Sequence, residues 1–160
     1  MIEVFRLGAA QFTDSHWKGE GGLHVDGRWH VAGRRIVYTA QSLSLAQLEV
    51  LVHIADRKQL PKLALAQAMI PDDLTLQAIN TSDLPPDWRR FSPYSDNTQR
   101  LGMQWLATQQ SAVLKVPSAI SDAEWNYLLN PLHPDFKKLE MGKPKLFVMD
   151  PRVPARQPGG

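Results

Sequence analysis

Cysteine is absent from the 160 residues. That removes disulfides, thiolate metal sites and a thiol nucleophile, and it leaves the redox compartment undetermined. No run approaches the roughly 18 apolar residues that a membrane span requires. The opening MIEVFRLG has no basic region ahead of an apolar stretch, so a cytoplasmic protein with no membrane partner is expected. Neither a Walker lysine loop nor GxGxxG occurs, so cradling of ATP-type phosphates is not indicated. Net charge is also scarce. The 18 Lys and Arg against 16 Asp and Glu leave only +2, despite a pI near 9.0. Binding a phosphate backbone demands a concentrated basic face, so no direct nucleic-acid partner is expected.

What is present suits a folded chain: 43% apolar and 21% charged residues exclude wholesale disorder. The length fits one domain, expected over 1–150 with a flexible tail at 151–160. Ile2 and Val4 alternate with Glu3 in a first strand through IEVFRLG. Residues 11–34 are polar and glycine-rich without a sustained period, which reads as a long functional loop. RIVYTA (35–40) is the next strand. Ser44 with Gln47 fits a capping box and Leu43 with Leu48 a staple, predicting a helix from about Leu45 to Asp56. Strands are expected at 62–70 and 74–79 across the Pro71 turn, a helix from Thr98 to Gln109, and a strand at 112–116. A second capping box, Ser121 with Glu124, predicts a short helix to about Leu129. KLFVMD (145–150) is a last strand. This order lacks a strict βαβ rhythm, so the fold class is α+β with a mixed sheet and flanking helices.

Several side chains could carry chemistry. Arg28, Arg34 and Arg35 lie beside Gly27 and Gly33. Their guanidinium forks suit phosphate oxygens, and a solvated basic hairpin is the competing reading. Glu49, His53 and Asp56 form one stripe at i, i+4 and i+7 of an otherwise apolar helix, which faces either water or a cleft. A carboxylate on a largely buried helix needs a partner, and a loop arginine is the natural one. The stripe lacks HExxH spacing, so no metal site is expected. Ser118 has no GxSxG elbow and reads as a turn hydrogen-bonder. Tyr38 reads as a core aromatic with its hydroxyl satisfied, and His133 in NPLHPDF as a residue that fastens a loop.

FRLG at 5–8, GRWH at 27–30, VYTAQSLSLAQLEVLVH at 37–53, LGMQWL at 101–106, VLKVPSA at 113–119 and NYLLNPLHPDF at 126–136 together resemble the RES domain. That family is named after an arginine, a glutamate and a serine, and the resemblance runs in order from about Val4 to Val148. It implies a fold like that of ADP-ribosyltransferases. It also implies a toxin of a type II toxin–antitoxin pair, neutralised by an Xre-like helix-turn-helix antitoxin. Such a toxin consumes NAD as substrate, without a cofactor, by hydrolysis or phosphorolysis of the nicotinamide–ribose bond.

Residue by residue, the family's arginine falls on Arg28, its glutamate on Glu49 and its serine on Ser118, with Arg6 and Tyr38 as further pocket positions. The implied roles are electrostatic stabilisation by Glu49 and phosphate binding by Arg28 and Arg6. Tyr38 would stack on nicotinamide or ribose, and Ser118 would bond the carboxamide or hold Glu49. His30 departs from the asparagine that relatives commonly carry after GRW. Glu49 also stands early in the chain, whereas transferases of that fold usually carry their glutamate late, and a shared fold does not guarantee a shared mechanism. Two alternatives stand beside this reading: a mono-ADP-ribosyltransferase acting on a cellular protein, and a non-catalytic module whose arginine loop grips nucleic acid. The weak net charge and the burial around Glu49 speak against the second. A homo-oligomer is compatible with the sequence, no motif marks the acceptor, and the antitoxin is expected to cover a cleft near Arg28 and Glu49.

Overall fold

The computed structural model describes residues 1–54 and 56–154. Its strands are β1 (Ile2–Ala9), β2 (Val37–Ala40), β3 (Leu63–Ile70), β4 (Leu76–Ala78), β5 (Val113–Pro117), β6 (Trp125–Leu129), β7 (Glu140–Met141) and β8 (Lys145–Phe147). They form one sheet in the order β4-β5-β6-β2-β1-β3-β7, with β8 also paired to β3. Strands β4 and β5 run parallel and the other pairs antiparallel. With two helices, α1 (Leu43–Val52) and α2 (Asp96–Thr108), the fold is α+β with a mixed sheet, as the element order implied.

Most expected elements appear with shifted ends, and the shifts have local causes. Helix α1 is capped by Ser42 rather than Ser44, the Ser42 hydroxyl accepting from Leu45 N at 3.1 Å. It stops at Val52, short of Asp56, where His53 Nδ1 turns back to the Glu49 carbonyl at 2.8 Å. The stretch 11–34 is not structureless: short 3-10 helices span Ala10–Ser15 and Glu20–Leu23. A 3-10 helix also follows His133, whose ring fastens the loop by accepting from Asp135 N at 3.0 Å and reaching the Gln109 carbonyl at 2.8 Å.

The expected helix to Leu129 is overturned. Ser121 does bond Glu124, through its hydroxyl at 2.6 Å and its carbonyl at 3.3 Å, but this closes a single turn. Ala123 sits at φ +65°, in the left-handed region that a right-handed helix cannot pass through. The chain emerges as β6, a central strand between β2 and β5. Tyr127, Leu128 and Leu129 are buried in succession, as expected of a strand covered on both faces. Past Met149 the chain makes a turn closed by Val153 N on the Asp150 carbonyl at 2.9 Å. Residues 155–160 of the expected tail lie outside the described residues.

Candidate active site

A cleft of about 830 Å³ opens where β1, β2 and α1 meet the loops at 21–30 and 89–94, a volume in the range of small-molecule sites. Arg6 of β1 lines it and donates from Nη1 to the Tyr38 carbonyl at 3.2 Å. Its Nε is buried with no hydrogen-bond partner, and it forms no ion pair among the described residues. Burial pulls its pKa down to about 10, so it stays charged at neutral pH. A buried cation without a counter-ion is costly, and an anion in the cleft would relieve that cost.

Arg28 is delivered by the GRWH turn, in which Gly27 N bonds the His30 carbonyl at 3.1 Å. The turn is held from α2: Gln99 Nε2 donates to the Gly27 and His30 carbonyls at 3.1 and 3.3 Å. Trp29 inside it is 2% exposed. Gly102 on α2 leaves room for this contact, since a Cβ there would lie 1.7 Å from the Trp29 carbonyl oxygen. Arg28 Nη1 donates to the carbonyls of Trp88 at 2.7 Å and Arg90 at 2.9 Å, and the guanidinium sits 5.4 Å above the Tyr94 ring. Its pKa is lowered by desolvation, against which Tyr94 and Glu49 act to raise it.

Glu49 lines the same cleft from α1, half-buried. The loop arginine expected as its partner is not in ion-pair range among the described residues. Asn126 of β6 holds it instead, with Nδ2 donating to Glu49 Oε1 at 2.9 Å. Arg28 and Glu49 thus influence each other across the cleft while each keeps separate neutral partners.

Tyr38 has its hydroxyl satisfied, as expected of a core aromatic: it accepts from Trp29 N at 3.3 Å and pairs with His30 Nδ1 at 2.7 Å. Burial pushes its pKa up. The glycine of GRWH is required by this contact, because a Cβ at Gly27 would come 2.4 Å from the Tyr38 hydroxyl. His30 is buried, and desolvation lowers its pKa. The ring is therefore neutral at pH 7, and its position ties the turn to β2.

Ser118, just after β5, is buried but does not line the cleft. Its hydroxyl accepts from the backbone amides of Ile120 at 3.2 Å and Ser121 at 3.1 Å, the turn-forming arrangement that its sequence context suggested. Through that turn it sets Ala119 and Ile120, which do line the cleft. The turn is tied to α1 by the Ser42 hydroxyl, which donates to Glu124 Oε2 at 3.1 Å.

The three loop arginines do not act together. Arg34 and Arg35 lie off the cleft, Arg35 donating to the Lys18 carbonyl at 3.0 Å and facing Glu20 at 3.9 Å. The α1 stripe is split as well. Glu49 and His53 line the cleft, whereas Asp56 sits past the helix and accepts from Lys58 N at 2.9 Å. Sequence reasoning missed Asn126, placed on a helix that does not form, and Tyr94, in a proline-rich loop without periodicity. His53 Nδ1 faces the Glu49 carbonyl at 2.8 Å and must donate to it, and Nε2 pairs with the Tyr94 hydroxyl at 3.2 Å.

Residues 3–150 match the model of the RES domain family. A protein named Toxin Res from Photorhabdus laumondii is 41% identical over 135 residues, which are 84% of this chain and 85% of that one. A Prs ADP-ribosylating toxin from a Sphingobium species is 35% identical over 137 residues, 84% of each chain. Among solved structures, the crystal structure of the M. tuberculosis MbcT-MbcA toxin-antitoxin complex matches with a TM-score of 0.67 at 16% identity, covering 91% of this chain and 83% of that chain, a likeness of fold.

Proposed function

The chain belongs to the RES domain family, and from that premise we propose that it is the toxin of a toxin–antitoxin pair that consumes NAD by cleaving the nicotinamide–ribose bond. One observation carries the reading. A half-buried carboxylate held by a neutral amide shares a cleft with two arginines that have no ion-pair partner among the described residues. A dinucleotide carries the complementary charges. Its two phosphates suit Arg6 and Arg28, and loss of nicotinamide develops positive charge on the ribose, which a carboxylate fixed alongside stabilises. Tyr38 supplies a flat wall beside the ribose or nicotinamide. Ser118 acts by holding the turn that shapes the wall at Ala119 and Ile120. Water or phosphate accepts the ADP-ribosyl group, and no cofactor takes part.

The partner is an Xre-like antitoxin that covers the cleft, and the site of action is the cytoplasm. The complex named for the M. tuberculosis neighbour supports the pairing. A second reading, in which a protein side chain is the acceptor, is favoured by the name of the Sphingobium relative. The test is to incubate purified protein with NAD, with and without phosphate, and to follow products by chromatography and mass. Nicotinamide with ADP-ribose names water as acceptor, and nicotinamide with phosphorylated ADP-ribose names phosphate. An unchanged NAD pool over folded protein overturns the reading, and ADP-ribose found on lysate proteins establishes the second one.

A further inference from the structure

Among the described residues four buried side-chain atoms lack a hydrogen-bond partner: Arg6 Nε, His16 Nδ1, His30 Nε2 and Asn126 Oδ1. The last is the one of fixed acceptor character. Asn126 stands on β6, opposite Ala40 of β2 and Val116 of β5, and lines the cleft beside Glu49. Its orientation is settled by chemistry. The atom 2.9 Å from Glu49 Oε1 must be the amide nitrogen, because a carboxylate can only accept and a flipped amide would set oxygen against oxygen. The carbonyl oxygen Oδ1 is therefore committed to the other side. Buried acceptors are almost always satisfied, and an orphan at a site calls for a missing donor.

Glu49 uses Oε1 on Asn126, and its Oε2 makes no hydrogen bond among the described residues. Joined by one hydrogen bond, these two cleft-lining side chains hold two acceptors without a partner among the described residues, Oε2 and Oδ1, with Oδ1 shielded from solvent in this structure. Such a pair fits a ligand with two adjacent hydroxyl donors. We propose that Asn126 is a substrate-reading residue: with Glu49 it grips the vicinal diol of the ribose that carries the scissile bond, Oδ1 accepting from one hydroxyl and Oε2 from its neighbour. This rests on the NAD reading above. It adds to it a donor class and a residue, and it gives Asn126 two separable roles, aligning Glu49 through Nδ2 and recognising substrate through Oδ1.

The experiment is a cycle between residue and substrate. Turnover of NAD and of two dinucleotide analogues, each lacking one hydroxyl of the nicotinamide-side ribose, is measured for the parent and for Asn126→Ala. If Oδ1 reads a hydroxyl, the substitution lowers kcat/KM on NAD about tenfold more than on the analogue lacking that hydroxyl, the worth of one hydrogen bond between them. Equal losses on NAD and on both analogues overturn the proposal, because a merely structural role does not distinguish the substrates. Where turnover by the variant is too slow, the same cycle is read as Kd by calorimetry. Asn126→Asp tests the alignment of Glu49, since the introduced carboxyl restores the donor when protonated and repels Glu49 when ionised. Its activity is expected to fall as pH rises while the parent's does not, and parallel profiles overturn the role of Nδ2. A parent that leaves NAD untouched brings down the functional reading and this proposal together. A parent that consumes NAD with a flat cycle brings down this proposal alone.

Discussion

Substituting Gly102 by alanine sets two well-defined effects against each other. In the middle of α2 helix propensity alone favours alanine by about 0.8–1.0 kcal/mol, which for a chain of this size would raise Tm by about 2–4 °C. Against this, the new Cβ would lie 1.7 Å from the Trp29 carbonyl oxygen, 2.7 Å from its carbon and 2.9 Å from its Cβ. These are anchored atoms, not the end of a flexible side chain. A carbon–oxygen contact relaxes at about 3.3 Å or more, so α2 and the GRWH turn must separate by roughly 1.5 Å. That movement carries the Gln99 bonds to Gly27 and His30, at 3.1 and 3.3 Å, beyond hydrogen-bonding range.

Overpacking and the lost bonds together outweigh propensity by roughly 2–4 kcal/mol, and Tm should drop by about 5–15 °C. Melting followed by tryptophan fluorescence reads this directly, since Trp29 and Trp105 are buried nearby. Gly21→Ala is the control: its Cβ meets nothing within 4 Å, and it should stay within about 0.5 kcal/mol of the parent. A Gly102→Ala protein that melts at or above the parent would refute the argument that this contact positions Arg28.

Glu49→Gln should leave the fold intact and slow NAD consumption by about 10²–10³-fold, the scale of losing a fixed electrostatic contact to the transition state; circular dichroism with a turnover assay checks both. Ser118→Ala removes the acceptor of two backbone amides and should cost about 1–3 kcal/mol, seen as a lowered urea midpoint with unchanged slope, and an unchanged midpoint would dismiss the turn-holding role. Stability should decline as pH falls. His16 and His30 both have pKa values lowered by burial from the ordinary 6.5, so the unfolded chain takes up protons first. Their contribution is complete above about pH 6.5 and is lost on acidification below it, and urea titrations between pH 7.5 and 5 in the parent and in His30→Gln should show a shallower decline in the variant.

The elements legible from sequence were those whose pattern was their own. The alternation in β1, the β-branched run of β2 and the apolar spacing of α2 survive folding because burial merely ratifies them. Strand β6 was illegible because a local signal, Ser121 with Glu124, described a real hydrogen bond and the wrong structure: Ala123 ends the turn, and the aromatic and leucine run of 125–129 answers to the gap between β2 and β5. The site follows the same division. Arg28, Glu49 and Tyr38 carry family spacing and converge on the cleft. Arg34 and Arg35 neighbour Arg28 in sequence only, because the GRWH turn sends Arg28 toward Trp88 and Arg90 while Arg35 returns to Lys18. Asn126 could be found only by knowing which strand pairs with β2 beside α1.

The strand order also constrains when the cleft can exist during synthesis. Strand β2 is made early, yet its neighbour in the sheet is β6, roughly ninety residues later, and β6 alone joins β2 to β5. A nascent chain that ends before Trp125 can pair β1 with β2 and β3, but it has no strand on the open side of β2 and no Asn126 to steady Glu49. The Glu49 carboxylate is made before β3, and it gains its Asn126 partner only once β6 has followed. A chain that stops between β5 and β6 is therefore a sheet with its middle missing, rather than a shortened version of the cleft.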